Sequence, residues 1–162
     1  MHHLSLLSLS RPWRERLFPA RRPARFVVAN SIAAHHAGAF TALAKAATTS
    51  RHLLVKFTTQ AREVEVCGPA DRPVGLTLDE ADKAGEGIAV ALLGAQQSSQ
   101  LGQASGPVAQ GDFLVPGANG TVRQLPTAAG TYALIGQALA DAHNGELVPF
   151  DPIPAIPHTV GS

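Results

Sequence analysis

Seven histidines, one cysteine and twelve carboxylates are the side chains of this 162-residue chain that could bind a metal or move a proton. Their spacing argues against both. His35 and His36 are adjacent, so a strand sets them on opposite faces and a helix sets them about 100° apart. Residues 16–62 contain no carboxylate that could complete a site with them. His2 and His3 lie at a terminus with no better partners, and a zinc ion needs several converging ligands. Asp79, Glu80, Asp82 and Glu86 form an acidic run without the ligand spacing of a calcium loop, which reads as a solvated excursion between strands. Asp141 and His143 can share one face of a strand, but no Gly-x-Ser-x-Gly elbow or placed serine accompanies them. Gly85-Glu86-Gly87 and Gly117-Ala-Asn-Gly120 match no phosphate-binding loop, and Glu86 would repel a phosphate. Cys67 stands alone, so no intrachain disulfide and no cysteine-based cluster can form, and its place at a strand end suits a small buried thiol. The expectation is a chain without metal, without cofactor and without catalysis.

The strongest binding signal lies near the N-terminus. Arg11, Arg14, Arg16, Arg21, Arg22 and Arg25 alternate with Trp13, Phe18 and Phe26. Arginine and aromatic residues are the commonest anchors of protein interfaces. The same mixture can neutralise phosphates and stack on bases, and a solvated tail is the plain alternative. Residues 1–50 carry seven basic residues against one acidic, a net of +6, whereas residues 51–162 carry six against eleven, a net of −5. An acidic body would be repelled from a second contact with nucleic acid, so a protein partner is favoured over DNA or RNA. The Arg-rich start also resembles a transit peptide in composition. No apolar run reaches the length of a membrane span, and no membrane partner is expected.

The elements that position these residues read as all-β. The hydrophobic fraction of 45 % supplies a core, with aromatic residues only 5 %, so Val, Leu, Ile and Ala must fill it. Prolines 12, 19 and 23 block a continuous helix in residues 1–28, which read as an extended arm. Residues 29–50 are alanine-rich, and Gly38 with the Thr/Ser tail disfavours a long helix. From Arg51 onward, β-forming runs alternate with turn signals. His52–Thr58, Arg62–Cys67, Gly87–Leu93, Asp112–Val115, Thr121–Leu125, Tyr132–Ile135 and Glu146–Phe150 read as strands. Asn119-Gly120 marks a hairpin, because both residues tolerate positive φ. An internal echo relates Val74-Gly75…Gly85-Glu86 to Ile135-Gly136…Gly145-Glu146. It reads as two equivalent strand–excursion–strand corners of one small barrel, with Gly75 and Gly136 as corner glycines where a strand bends sharply or another backbone comes close, and Gly145 in a turn. The division expected is an arm over 1–50, a barrel over 51–150, and a proline-rich tail over 151–162 that lies extended outside the central sheet.

Thr49–Lys56, Val66–Leu76, Ile88–Gly94, Ala118–Val122 and Ala129–Leu139 together resemble the capsid cement, or head decoration, proteins of tailed bacteriophages. The resemblance is spread over many short stretches between residues 29 and 153. It implies a small β-barrel or β-tulip domain behind an extended N-terminal arm. It implies a non-enzymatic virion protein that needs no cofactor, sits on the outer capsid surface, and stabilises the shell of major capsid protein. It also implies self-association, as a homotrimer or as lattice neighbours, with assembly in the host cytoplasm. Under it, the arginines and aromatics of the arm become the capsid-binding residues. A nucleic-acid or packaging accessory acting through the same arm is the alternative, and a small barrel enzyme or ligand-binding module is a third reading.

Overall fold

The computed structural model describes residues 38–95 and 98–161. The described residues are all-β, with ten strands and one short 3-10 turn at Ala118–Gly120. Strands β1 (Ala39–Ala44), β2 (Leu54–Phe57), β3 (Glu63–Val66), β4 (Gly75–Thr77) and β5 (Gly87–Leu92) close into a barrel in the order β1-β3-β2-β4-β5. Strands β6 (Gln100–Gln103), β7 (Phe113–Pro116), β8 (Val122–Gln124), β9 (Gly130–Ala138) and β10 (Leu147–Val160) form a second sheet in the order β6-β10-β9-β7-β8. A parallel bridge between Ala104 and Val122 draws the two edges of that second sheet together.

The second five strands repeat the first. Phe40 pairs with Val90 between β1 and β5, and Gln100 pairs with Phe150 between β6 and β10. Gly75 faces Leu92, and Gly136 faces Pro152. Ala44 lies parallel to Val64, and Ala104 lies parallel to Val122. The excursions match bond for bond. Thr48 and Ala81 exchange two backbone hydrogen bonds, as do Val108 and Ala142, and the amides of Gly85 and Gly145 donate to the carbonyls of Ala44 and Ala104. In each excursion the closing glutamate accepts a turn amide, Glu86 from Asp82 and Glu146 from His143. The echo between residues 74–90 and 135–150 is therefore the same corner in two tandem units rather than two corners of one barrel. Most of the repeat is invisible in the residues because only the inward/outward alternation and the tight glycines are shared.

Those glycines are required by close approach. A Cβ on Gly75 would lie 2.3 Å from the carbonyl oxygen of Ala91, and one on Gly136 would lie 2.2 Å from that of Asp151. These are equivalent contacts in the two units. Asn119 (φ 54°) and Gly120 (φ 74°) form the expected turn between β7 and β8. Gly145 turns at φ 85° with open space around it.

Two expectations are corrected. The barrel starts before Arg51, because Ala39–Ala44 is strand β1. Its inward Ala42 and Ala44 are small enough to lie beside Ile88 and Val90 inside a narrow five-stranded barrel. The tail from Asp151 is not outside the sheet, because β10 continues to Val160 and pairs with β9 along its length, with a bulge between Pro152 and Ile156. Proline is tolerated there for a local reason. The Pro149 carbonyl accepts from Leu139, so Pro152 turns its missing N–H to the opposite edge, where β6 ended at the Phe150 pair.

Two apolar clusters result. The first unit encloses Ala42, Ala44, Val55, Val64, Ala81, Ile88 and Val90, with Phe40 against them. The second unit encloses Leu114, Val122, Ile135, Val148 and Phe150, and this cluster also takes in Leu54, Cys67, Leu76 and Leu93 from the outer side of the first unit. Period-two alternation explains the sharing, since Val55 points inward while its neighbour Leu54 points out toward the second unit.

Candidate docking surfaces

Arg11, Trp13, Arg14, Arg16, Phe18, Arg21, Arg22, Arg25 and Phe26 lie outside the described residues, so the geometry below concerns the two units alone. Gly120 and two polar side chains bridge the units. The Gly120 amide donates to the Cys67 carbonyl at 2.7 Å, and a Cβ there would sit 2.9 Å from the Leu54 carbonyl oxygen. Arg72 Nε donates to the Ala155 carbonyl at 2.9 Å, and Gln100 Nε2 donates to the Leu92 carbonyl at 3.2 Å.

The titratable side chains singled out from the sequence are occupied in turns. Asp141 accepts the Gln110 amide at 2.7 Å, and Asp79 accepts the Ala89 amide at 3.2 Å. Among the described residues, no three of the His, Cys, Asp and Glu side chains converge to hold a metal ion. Cys67 is buried, and that burial pushes its thiol up to about 12. A polar chain lies on the flank of the first unit. Lys45 reaches Glu65, Lys56 bridges Glu65 (3.3 Å) and Asp71 (2.8 Å), and Asp71 also accepts the Gly68 amide at 2.7 Å. The Asp71 hydrogen bond raises the Lys56 ammonium, the Lys45 hydrogen bond lowers the Glu65 carboxyl, and the Lys56 hydrogen bond lowers the Asp71 carboxyl. Beside this chain, a cleft of about 380 Å³ runs down to Val55, Val64 and Ile88.

Among the described residues, five of the eight exposed large apolar side chains lie at two places. At one end of the first unit, Phe57 is half exposed and stacks on Phe40, with ring centroids 5.6 Å apart and tilted by 48°. On the outer face of the second unit, Leu101 lies opposite Pro149, and the Leu139 amide bonds the Pro149 carbonyl from the other side. Leu147 follows along the same face, and Phe113 lies opposite Gln137, which lies opposite Asp151. Leu101, Phe113, Leu139 and Leu147 are between 39 % and 51 % exposed, so the apolar row is open to solvent. Sequence reading missed this face.

The fold is that of a tandem five-stranded β protein in which the outer side of the first unit packs on the second. Among solved structures, the chain is similar to the N base of the head fibre gp8.5 of bacteriophage phi29, with a TM-score of 0.58 and 20 % identity. The match covers 72 % of this chain and 94 % of that one. Neither unit alone can supply 72 % of the chain, so the likeness runs through both units. No family model and no curated protein matches the sequence.

Proposed function

We propose that the chain is a structural protein of a tailed-phage virion that binds the outer surface of the capsid and stabilises its shell of major capsid protein. The observation that carries this reading is the fold, which is shared across both units with the base of a phage head fibre. On this reading the arm residues Arg11 to Phe26 grip capsid carboxylates and apolar pockets, and many weak copies hold the shell by avidity rather than by single tight contacts. The protein acts by contact and not by catalysis, joins the particle in the host cytoplasm, and meets other copies of itself there.

Cryo-electron microscopy of purified particles tests the reading, with density for both units expected on the outside of the shell. Absence of the chain from purified capsids overturns it. Binding to empty capsids by the full chain, compared with a chain starting at Ala29, tests the arm. Weaker binding by the shorter chain is expected, and equal affinity removes the arm from the contact.

A further inference from the structure

The tandem repeat turns one intramolecular junction into a statement about an unfilled one. In the junction, Leu54 and Leu76 of the outer row of the first unit pack into the cluster of the second, and Ala91 beside Leu76 in the same row is equally buried, all at 0–1 % exposure. The second unit meets it with its open end, where Gln100 and Gly120 bond to Leu92 and Cys67. By the shared strand register, the row equivalent to Leu54, Leu76 and Ala91 in the second unit is Phe113, Gln137 and Asp151. That row is exposed. The open end equivalent to Gln100, Pro116 and Gly120 is formed in the first unit by Phe40, Phe57 and Arg62, and Phe57 there is 52 % exposed. The chain thus uses one face and one end internally and presents the other face and the other end to solvent. A junction between unlike surfaces leaves complementary surfaces free at the two ends of what it joins.

We infer that a second copy of this chain fills the gap, seating the outer face of its second unit on the Phe40–Phe57 end of the first unit of its neighbour. Phe113 and Phe57 are the anchors, as rigid aromatic residues at half exposure with apolar neighbours. One difference sets the closeness of the contact. Gly120 lets the two units of one chain approach to backbone distance, whereas Arg62 occupies that place between chains. The contact between chains is accordingly looser than the contact within a chain, and reversible. Repetition gives a ring where the rotation closes and an open string where it does not. The inference does not depend on a virion role.

The test is sedimentation of the full chain and of two variants, Phe57→Ser and Phe113→Ser, with thermal melts to show that each is folded. The wild type should self-associate with rising concentration, and each variant alone should lose association by about tenfold or more in dissociation constant. The decisive sample is the equal mixture of the variants. Each retains the surface the other has lost, so the mixture should form a dimer containing one of each and nothing larger. A wild type that stays monomeric overturns the inference, including the case in which residues 1–37 cover the open end. So does a mixture that stays monomeric, or association lost in Phe113→Ser and kept in Phe57→Ser, which is the pattern of two like faces meeting.

Discussion

Replacing Gly75 or Gly136 by alanine puts the equivalence of the two units to a quantitative test. A Cβ at these positions would stand 2.3 Å and 2.2 Å from the carbonyl oxygens of Ala91 and Asp151, and 2.7 Å and 2.8 Å from the side chains of Val90 and Phe150. The obstructing atom is backbone of the neighbouring strand in both cases, so no side-chain rotation can relieve it. Strands β4 and β5, or β9 and β10, must part by roughly 1 Å, which breaks van der Waals contact on both sides of the pair. Overpacking of a core costs about 1–3 kcal/mol, and a conflict with a paired backbone belongs at about 3 kcal/mol or above. In a chain of this size 1 kcal/mol moves the melting temperature by about 2–4 °C, so each variant should melt about 6–12 °C lower. Gly85→Ala and Gly145→Ala are the internal controls. Their φ values of 80° and 85° strain an alanine, but nothing lies within 4 Å of the added carbon. Left-handed strain alone costs about 1–2 kcal/mol, or about 2–8 °C. Differential scanning calorimetry of the four variants reads the comparison directly. If Gly75→Ala and Gly136→Ala melt no lower than Gly85→Ala and Gly145→Ala, the tight strand contact is not what these glycines serve, and the equivalence drawn through them fails.

Two further measurements follow from the flank of the first unit. The Glu65 and Asp71 carboxyls are held below their ordinary range by Lys45 and Lys56, so the unfolded chain binds protons that the folded chain refuses. The stabilisation is complete above the ordinary carboxylate range and is lost as pH falls through the lowered values, so melting temperature should drop on acidification below about pH 4.5. It should drop less in Glu65→Gln with Asp71→Asn, and an unchanged acid slope in that double variant would remove the lysine pairs as its cause. Cys67, with its thiol near 12 and its side chain buried, should resist iodoacetamide at neutral pH in the folded chain and react once denaturant unfolds it. Labelling of the native chain at the rate of a free thiol contradicts that burial.

The all-β class, the β7–β8 hairpin at Asn119-Gly120, and the close approach at Gly75 and Gly136 were legible in the sequence because each depends on local chemistry. Alternation in Arg62–Cys67 and positive φ at Asn-Gly need no distant partner. Strand β1 was not legible, since Ala39-Phe-Thr-Ala-Leu-Ala44 owes its state to β5 and β3 on either side and not to its own propensity. The proline-bearing end of β10 was hidden for a related reason. Whether a proline is tolerated depends on which edge of the strand has a neighbour, and only the assembled sheet decides that. The docking face was hidden most deeply. Leu101, Leu139 and Leu147 look like core residues in sequence, and nothing local distinguishes an apolar side chain that is covered from one that is left open.

The two units are equivalent in fold and unequal in task, and the inequality follows from a single alternation. In β2 and β4 of the first unit both sides of the strand are used, with Val55 inside its own barrel and Leu54 and Leu76 inside the cluster of the second unit. The first unit therefore has a core of its own, whereas the core of the second is completed by residues it does not contain. A second unit cut free at Ser98 would expose the side of Phe150 and Val122 that Leu54, Cys67 and Leu76 cover, and it would lose the Gly120 and Gln100 bonds as well. The first unit is thus both a barrel and the lid of its neighbour. That arrangement leaves the apolar face of the second unit, with Phe113 at its edge, as the equivalent lid surface with nothing beneath it among the described residues of its own chain.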